Sequence, residues 1–457
     1  MLAGGASTKG LTMRMHGTGG LAIAAVMVIS GAGAGEVAAQ SRRNPNPAQT
    51  PAATTPTPST AQPAPSNPNR PNPYLVREEP EEWEMSIRID VAASRDILLT
   101  PQGSYPVTDQ WAFDQATVVF PVPPTTAGFV PDAADPFSGV LVFQDRIKVD
   151  RFDILEGYPS GTKLAKWSLE GQEGGYVGNQ MHIEVRSRGT SYNLVFNEAE
   201  AMKVPWPSVW PPEAMEATKP EAFITQWVNG DNLDMTPVVA LVNEWTGGKP
   251  QSQPPVVTAK WITAKVAELV QVSGSGFGYS RNGKIQGIDP IGAPETAIRR
   301  RGSQFDMTCL LVACLREAGI PTRMVVGYDV AADKEERVFL EVKRSRSEDL
   351  RSWAEFALYD EKNDILTWVP VDVVAQRAQS SRVPDIRKPW DFFGNHKEMQ
   401  GIIPFAFQFQ PPTTVRAYGT PGFWGWLVFP KAPERAEQWI TIHANSPSKR
   451  GGQPRRE

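Results

Sequence analysis

The 457-residue chain holds only 2 Cys and 4 His. A structural zinc site takes four Cys or His ligands in close pairs, and neither a C-x-x-C nor an H-x-x-x-H spacing occurs. Zinc, iron–sulfur, haem-attachment and HExxH hydrolase chemistry are thereby set aside, and two cysteines make no disulfide scaffold. No metal and no cofactor is expected. Excess charge is scarce too: 46 basic against 50 acidic residues give −4, with no dense Lys/Arg block, so nucleic acid is not an expected partner. No apolar run reaches the roughly 20 residues that a membrane-spanning helix needs. Pro and Gly, by contrast, are plentiful, at 42 and 38 residues. The length allows two domains.

Residues 1–39 read as a signal peptide. Lys9 and Arg14 precede an apolar run, Leu21 to Ile29, and Val37-Ala38-Ala39 fits a cut before Gln40. No Cys near that cut offers a lipoprotein anchor; retention as an anchor helix is the alternative. The chain is therefore expected to be exported, periplasmic or secreted, with no integral span once the signal is removed. Residues 40–75 form a Pro-rich linker carrying only Arg42, Arg43 and Arg70 as charges before Tyr74. Such a composition builds no core and suits a polyproline-II tether.

From Trp83 the pattern has period two. Met85, Ile87, Ile89 and Val91 alternate with Ser86, Arg88 and Asp90, which predicts a half-buried strand. Met181, Ile183 and Val185 repeat it, Tyr192, Leu194 and Phe196 follow an expected turn at Gly189, and Val140–Phe143 reads as a buried strand. Residues 76–205 are thus expected to form a β-sandwich-like domain. His182 falls on its polar face. The segment 204–220, with Trp206 and Trp210 among five prolines, marks the junction to a core over 206–385. There, Thr236-Pro237 predicts a helix start with Thr236 as N-cap, and Gly247-Gly248 its end. Ala259, Ile262, Val266 and Leu269 follow at helical spacing. Gly274, Gly276 and Gly278 follow a helix rather than a strand, so they are loop glycines, not a dinucleotide fingerprint. Residues 386–445 are expected to complete or flank the core, with Phe423–Phe429 as a buried strand, and 446–457 as a basic tail.

Ser303-Gln304-Phe305-Asp306 opens a helix with a capping-box pattern, and Gly319 with Pro321 closes it. Strands are predicted at Arg323–Tyr328, Val338–Val342, from Ser352, and at Trp368–Asp372. The run Gly302-x-x-x-Asp306, Leu-Arg316-x-x-Gly319-Ile320-Pro321-x-Arg323, Gly327-Tyr328, Trp353-x-Glu355 and Trp368-Val-Pro-x-Asp372 resembles the transglutaminase-like core of bacterial exported proteins. The resemblance covers about residues 235–380. It implies an α+β, papain-like core, with N-terminal helices packed on an antiparallel sheet. It also implies a Cys nucleophile at the helix start, a His base on the next motif and an orienting Asp.

Placed on that pattern, Gln304 holds the nucleophile position, Ser352 the base position and Asp372 the orienting carboxylate. Ser303, Asp306, Trp353 and Glu355 would support the cleft. A Gln amide is no nucleophile at neutral pH, and a Ser without imidazole is a very weak base. Cys309 stands five positions along the helix from Gln304, and Cys314 falls on its apolar stripe. The expectation is a pseudoenzyme in which Gln304, Ser352 and Asp372 hydrogen-bond among themselves and the cleft binds a peptide or protein of the cell envelope. One alternative is an active cysteine- or serine-dependent acyltransferase or peptidase with a relocated site, to which His396 or His443 would have to fold back. Another is a scaffold working through its β domain or the aromatic segment 423–429.

Overall fold

The computed structural model describes residues 72–446 apart from 94, 102, 109, 135–136, 157–160, 172–174, 219–233, 280–284, 331–349, 381, 396–398, 408–423 and 430–435. These belong to one compact unit, Gln62–Glu457; the other, Met1–Ala61, lies outside the described residues together with the signal and most of the linker. The strand expected at Val338–Val342, His396 and the basic tail from 447 also lie outside them. Among the described residues no helix is long and apolar enough to cross a membrane.

The alternating sequence around Trp83 becomes β1 (Leu75–Ala93), whose inward Met85, Ile87, Ile89 and Val91 are buried. Strands β2 (Gln115–Pro121), β3 (Phe137–Phe143), β4 (Leu164–Leu169) and β5 (Gln180–Phe196) follow. The expected turn at Gly189 does not exist: β5 runs straight through it, paired with Trp83 on one side and Pro131 on the other. The glycine serves close packing instead, since a Cβ there would lie 2.2 Å from the Phe129 ring.

After β5 come the helices α1 (Thr236–Thr246), α2 (Pro255–Leu269), α3 (Ala293–Arg299) and α4 (Gln304–Glu317). The N-cap of α1 is Met235, not Thr236; Asp234 Oδ1 accepts from Thr236 N at 2.9 Å and moves the start one residue earlier. Strands β6 (Thr322–Asp329), β7 (Leu350–Asp360) and β8 (Ile365–Val371) lead into α5 (Val373–Gln379). Then come β9 (Ile402–Ala406), β10 (Gly425–Phe429) and β11 (Ala436–Asn445).

The three largest sheets among the described residues are antiparallel. One has the order β11-β1-β5-β3, the second β10-β2-β4, and the third, under the helices, β8-β7-β6-β9. Helices on an antiparallel sheet beside a two-sheet β region form the expected α+β arrangement. The C-terminal strands divide their allegiance: β9 completes the core sheet, whereas β10 and β11 return to the two N-terminal sheets. In β10 only part of the aromatic segment is buried, because Leu427 and Phe429 point outward at 48% and 54% exposure.

A buried ion pair fastens the β region to the core. Arg323 on β6 donates from Nε and Nη2 to Glu355 Oε2 at 2.9 and 2.6 Å. Glu355 Oε1 accepts from Ala127 N at 2.9 Å, and Arg323 Nη2 also reaches Thr125 O at 3.2 Å. The guanidinium lies between the rings of Trp368 and Phe407, 4.2 and 4.4 Å from their centroids. Trp353 Nε1 donates to Glu355 Oε1 at 3.4 Å. Trp353 and Glu355 thus tie the 125–127 segment to the core sheet.

Candidate functional site

Helix α4 starts the site, and its start is heavily fixed. Ser303 Oγ accepts from Asp306 N while Asp306 Oδ2 accepts from Ser303 N at 2.7 Å, the reciprocal box expected from the sequence. The other carboxylate oxygen accepts from Ile291 N and Gly292 N at 2.7 and 3.3 Å, so Asp306 also anchors the loop before α3. Gly276, at φ +70°, passes so close that a Cβ would meet Ser303 Cβ at 2.7 Å. That contact accounts for one glycine of the loop triplet. Ser303 is committed on both its backbone and its hydroxyl, which explains its presence without a nucleophilic role.

Gln304 is the first residue of α4, half-buried, and its Nε2 donates to Leu350 O at 3.3 Å. It therefore touches the start of β7, where the base position was expected. Each of the three sequence-assigned residues has a partner outside the trio. Ser352 Oγ donates to Thr308 Oγ1 at 3.0 Å, on the face of β7 that packs against α4. Asp372 stands just past the end of β8, as the N-cap of α5. Its Oδ1 caps α5 through Ala375 N at 2.8 Å, and its backbone N donates to Phe392 O at 3.0 Å.

The side chain that reaches Asp372 is Arg351, one residue before Ser352. Arg351 Nη2 lies 3.2 Å from Asp372 Oδ2, and Nη1 donates to Asp329 Oδ2 at 2.9 Å. Register explains this. Successive strand residues alternate faces, and Gly327 pairs with Arg351, so Asp329, two residues on, shares its face. Likewise Val371 pairs with Ala354, which carries Asp372 to the face of Trp353 and Arg351. Motif spacing alone does not reveal Arg351, because spacing from Trp353 carries no information about which face each residue occupies. The period-two rule, applied to Trp353 and Glu355, would have selected it. The result is a fixed cation between two carboxylates, one residue along β7 from the Leu350 carbonyl that Gln304 Nε2 reaches.

Neither thiol approaches this point. Cys309 is fully buried with its Sγ 3.9 Å from Met324 Sδ, and Cys314 is equally inaccessible. Burial pushes both thiols well above their ordinary pKa, for Cys309 with Asp306 adding to it. A thiol-directed disulfide reagent is expected to titrate no thiol in the native protein and both in denaturant; one reacting natively would contradict this placement. His443 sits on β11 opposite Ser86, in the N-terminal sheet rather than at α4. Among the described residues no group of three or more His, Cys, Asp or Glu could hold a metal ion.

No curated protein matches the chain. Among solved structures it is similar to a "putative cysteine protease" from Cytophaga hutchinsonii, at 12% identity and TM-score 0.43, over 81% of this chain and 92% of the other. A "putative protease" from Parabacteroides distasonis aligns at 11% identity and TM-score 0.18, over 54% of this chain and 62% of the other. A family description matches from residue 252, just before α2, to Val373, one residue past Asp372. Over residues 252–373, the stretch that holds Gln304, Arg351 and Asp372, the chain matches the transglutaminase-like superfamily.

Proposed function

We propose that this is an exported, non-catalytic transglutaminase-like protein whose Gln304–Arg351 cleft binds a polypeptide segment of the cell envelope. One observation carries the reading: Arg351 is held between Asp329 and Asp372 at 2.9 and 3.2 Å, one residue along β7 from the Leu350 carbonyl that Gln304, at the nucleophile position, reaches. A guanidinium remains protonated at any ordinary pH and accepts no proton, so it cannot serve as a base. The buried thiols count against a relocated cysteine site, and the doubly committed Ser303 against a serine one. The signal-like pattern of residues 1–39 supports export.

Purified protein, given a glutamine-donor peptide and a fluorescent primary amine, should form no conjugate and cleave no peptide. Replacing Cys309 or Cys314 by Ala should leave that null result unchanged. Amine incorporation that disappears on either replacement would sink the proposal. A photo-crosslinking residue at Gln304 should capture a polypeptide in the cell envelope, and Arg351→Glu should abolish capture. A second reading rests on Leu427 and Phe429, whose exposure on β10 favours a working surface in the β region; a crosslinker at Leu427 distinguishes the two.

A further inference from the structure

The segment 206–215 exposes an apolar face that the proposed cleft does not use. Trp206 and Trp210 meet edge to face with centroids 6.3 Å apart. Their indole N–H groups are already committed, Trp206 to Gln253 O at 2.6 Å and Trp210 to Gly319 O at 3.1 Å, so the rings are fixed in place. Beside them Val209 and Met215 are 65% and 47% exposed. Rigid indoles flanked by exposed aliphatic groups are the kind of surface on which a polyproline-II segment packs.

The proline-rich chain arrives next to this face. Asn72 Nδ2 donates to Thr367 Oγ1 at 2.9 Å, and Tyr74 OH donates to Asp360 Oδ2 at 2.6 Å. Glu361, the next residue, accepts from Ser208 N at 3.0 Å and from the Ser208 hydroxyl, holding the Trp206–Trp210 segment. The linker root and the aromatic face therefore share one turn of the core sheet. Immediately before Asn72 the sequence places Pro65, Pro68 and Pro71 three residues apart. With three residues per turn, that period puts all three rings on one side of a polyproline-II helix. At ~3.1 Å per residue, Pro63 to Pro71 spans about 28 Å, ample to cross the face from Asn72.

We infer that the face of Trp206, Val209, Trp210 and Met215 is the docking site for this chain's own segment Pro63–Pro71. Docking would shorten the free part of the tether and fix the direction in which it leaves the folded unit. The buried native thiols allow a nitroxide to be placed selectively in the full chain by Ser66→Cys. Its spectrum should be broadened severalfold in correlation time relative to a label at Thr54→Cys, and Val209→Asp should restore the mobile line. Val209 is mostly exposed, so the fold should survive, as circular dichroism would check. A mobile label at Ser66→Cys, or immobilisation indifferent to Val209→Asp, overturns the inference. Immobilisation that vanishes on dilution also overturns it, by assigning the face to a second copy.

Discussion

Gln304→Cys combined with Arg351→His should create a thiol alkylated by iodoacetamide at pH 6 about ten times faster than in Gln304→Cys with Arg351→Ala, which has no cation at position 351. A free thiol near pKa 8.5 is only about 0.3% thiolate at that pH. An imidazolium partner at the N-terminus of α4, lowering the pKa to around 5.5, raises the thiolate fraction roughly 200-fold. The lower intrinsic nucleophilicity of the more acidic thiol offsets about 16- to 30-fold of that gain. The prediction turns on position. Asp372 now pairs with Arg351 at 3.2 Å, so an imidazole at 351 inherits an orienting carboxylate. In Gln304→Cys with Ser352→His, the imidazole would lie against Thr308, one turn past the start of α4, and without Asp372. That pair should react no faster than Gln304→Cys alone. If it is the faster of the two, the base position belongs to Ser352 and the proposed reading of the cleft fails. Asp372→Asn should remove most of the acceleration without touching the thiol.

What the sequence makes legible here follows from how local each signal is. The capping box of α4 and the left-handed Gly319 at φ +85° depend on neighbours a few residues away, and both stand as read. Met85 through Val91 are buried in alternation because a half-buried strand requires it. Long-range pairing decides what went unread. Gly189 looks like a turn in one dimension, yet Phe129, distant in sequence, needs its bare Cα. The joining of β10 and β11 to the N-terminal sheets has no local signature at all. At the site, Gln304 and Asp372 were reachable by counting along motifs. Arg351 was not, because its role is set by Asp329 and Asp372 across two neighbouring strands.

Lys260→Ala should be the most damaging single change on stability, about 3–5 kcal/mol in urea unfolding, because it leaves a buried carboxylate without its cation. Lys260 on α2 is 1% exposed and Glu198 5%. The Nζ pairs with Glu198 Oε1, donates to Lys388 O at 2.5 Å, and lies 4.9 and 5.6 Å from the rings of Trp390 and Phe393. Among the described residues Glu198 Oε2 has no hydrogen-bond partner, so Lys260 is the cation that compensates this carboxylate. Burial lowers the Lys260 pKa and raises that of Glu198, each opposed by its partner. Removing one member lets burial act unopposed on the other, and the signs then differ. In Lys260→Met, which keeps much of the packing, Glu198 has a raised folded pKa. Its contribution is complete below the unfolded value near ~4.3 and lost as pH rises through the folded value. The unfolding midpoint should therefore fall between pH 5 and 8. In Glu198→Gln, Lys260 has a depressed folded pKa. Its contribution is complete above the unfolded value near ~10.4 and lost as pH falls through the folded one, so the midpoint should climb with pH. The double variant should show neither slope and regain much of the loss of Lys260→Ala. Parallel slopes in the two single variants would mean that water, rather than each other, compensates these charges.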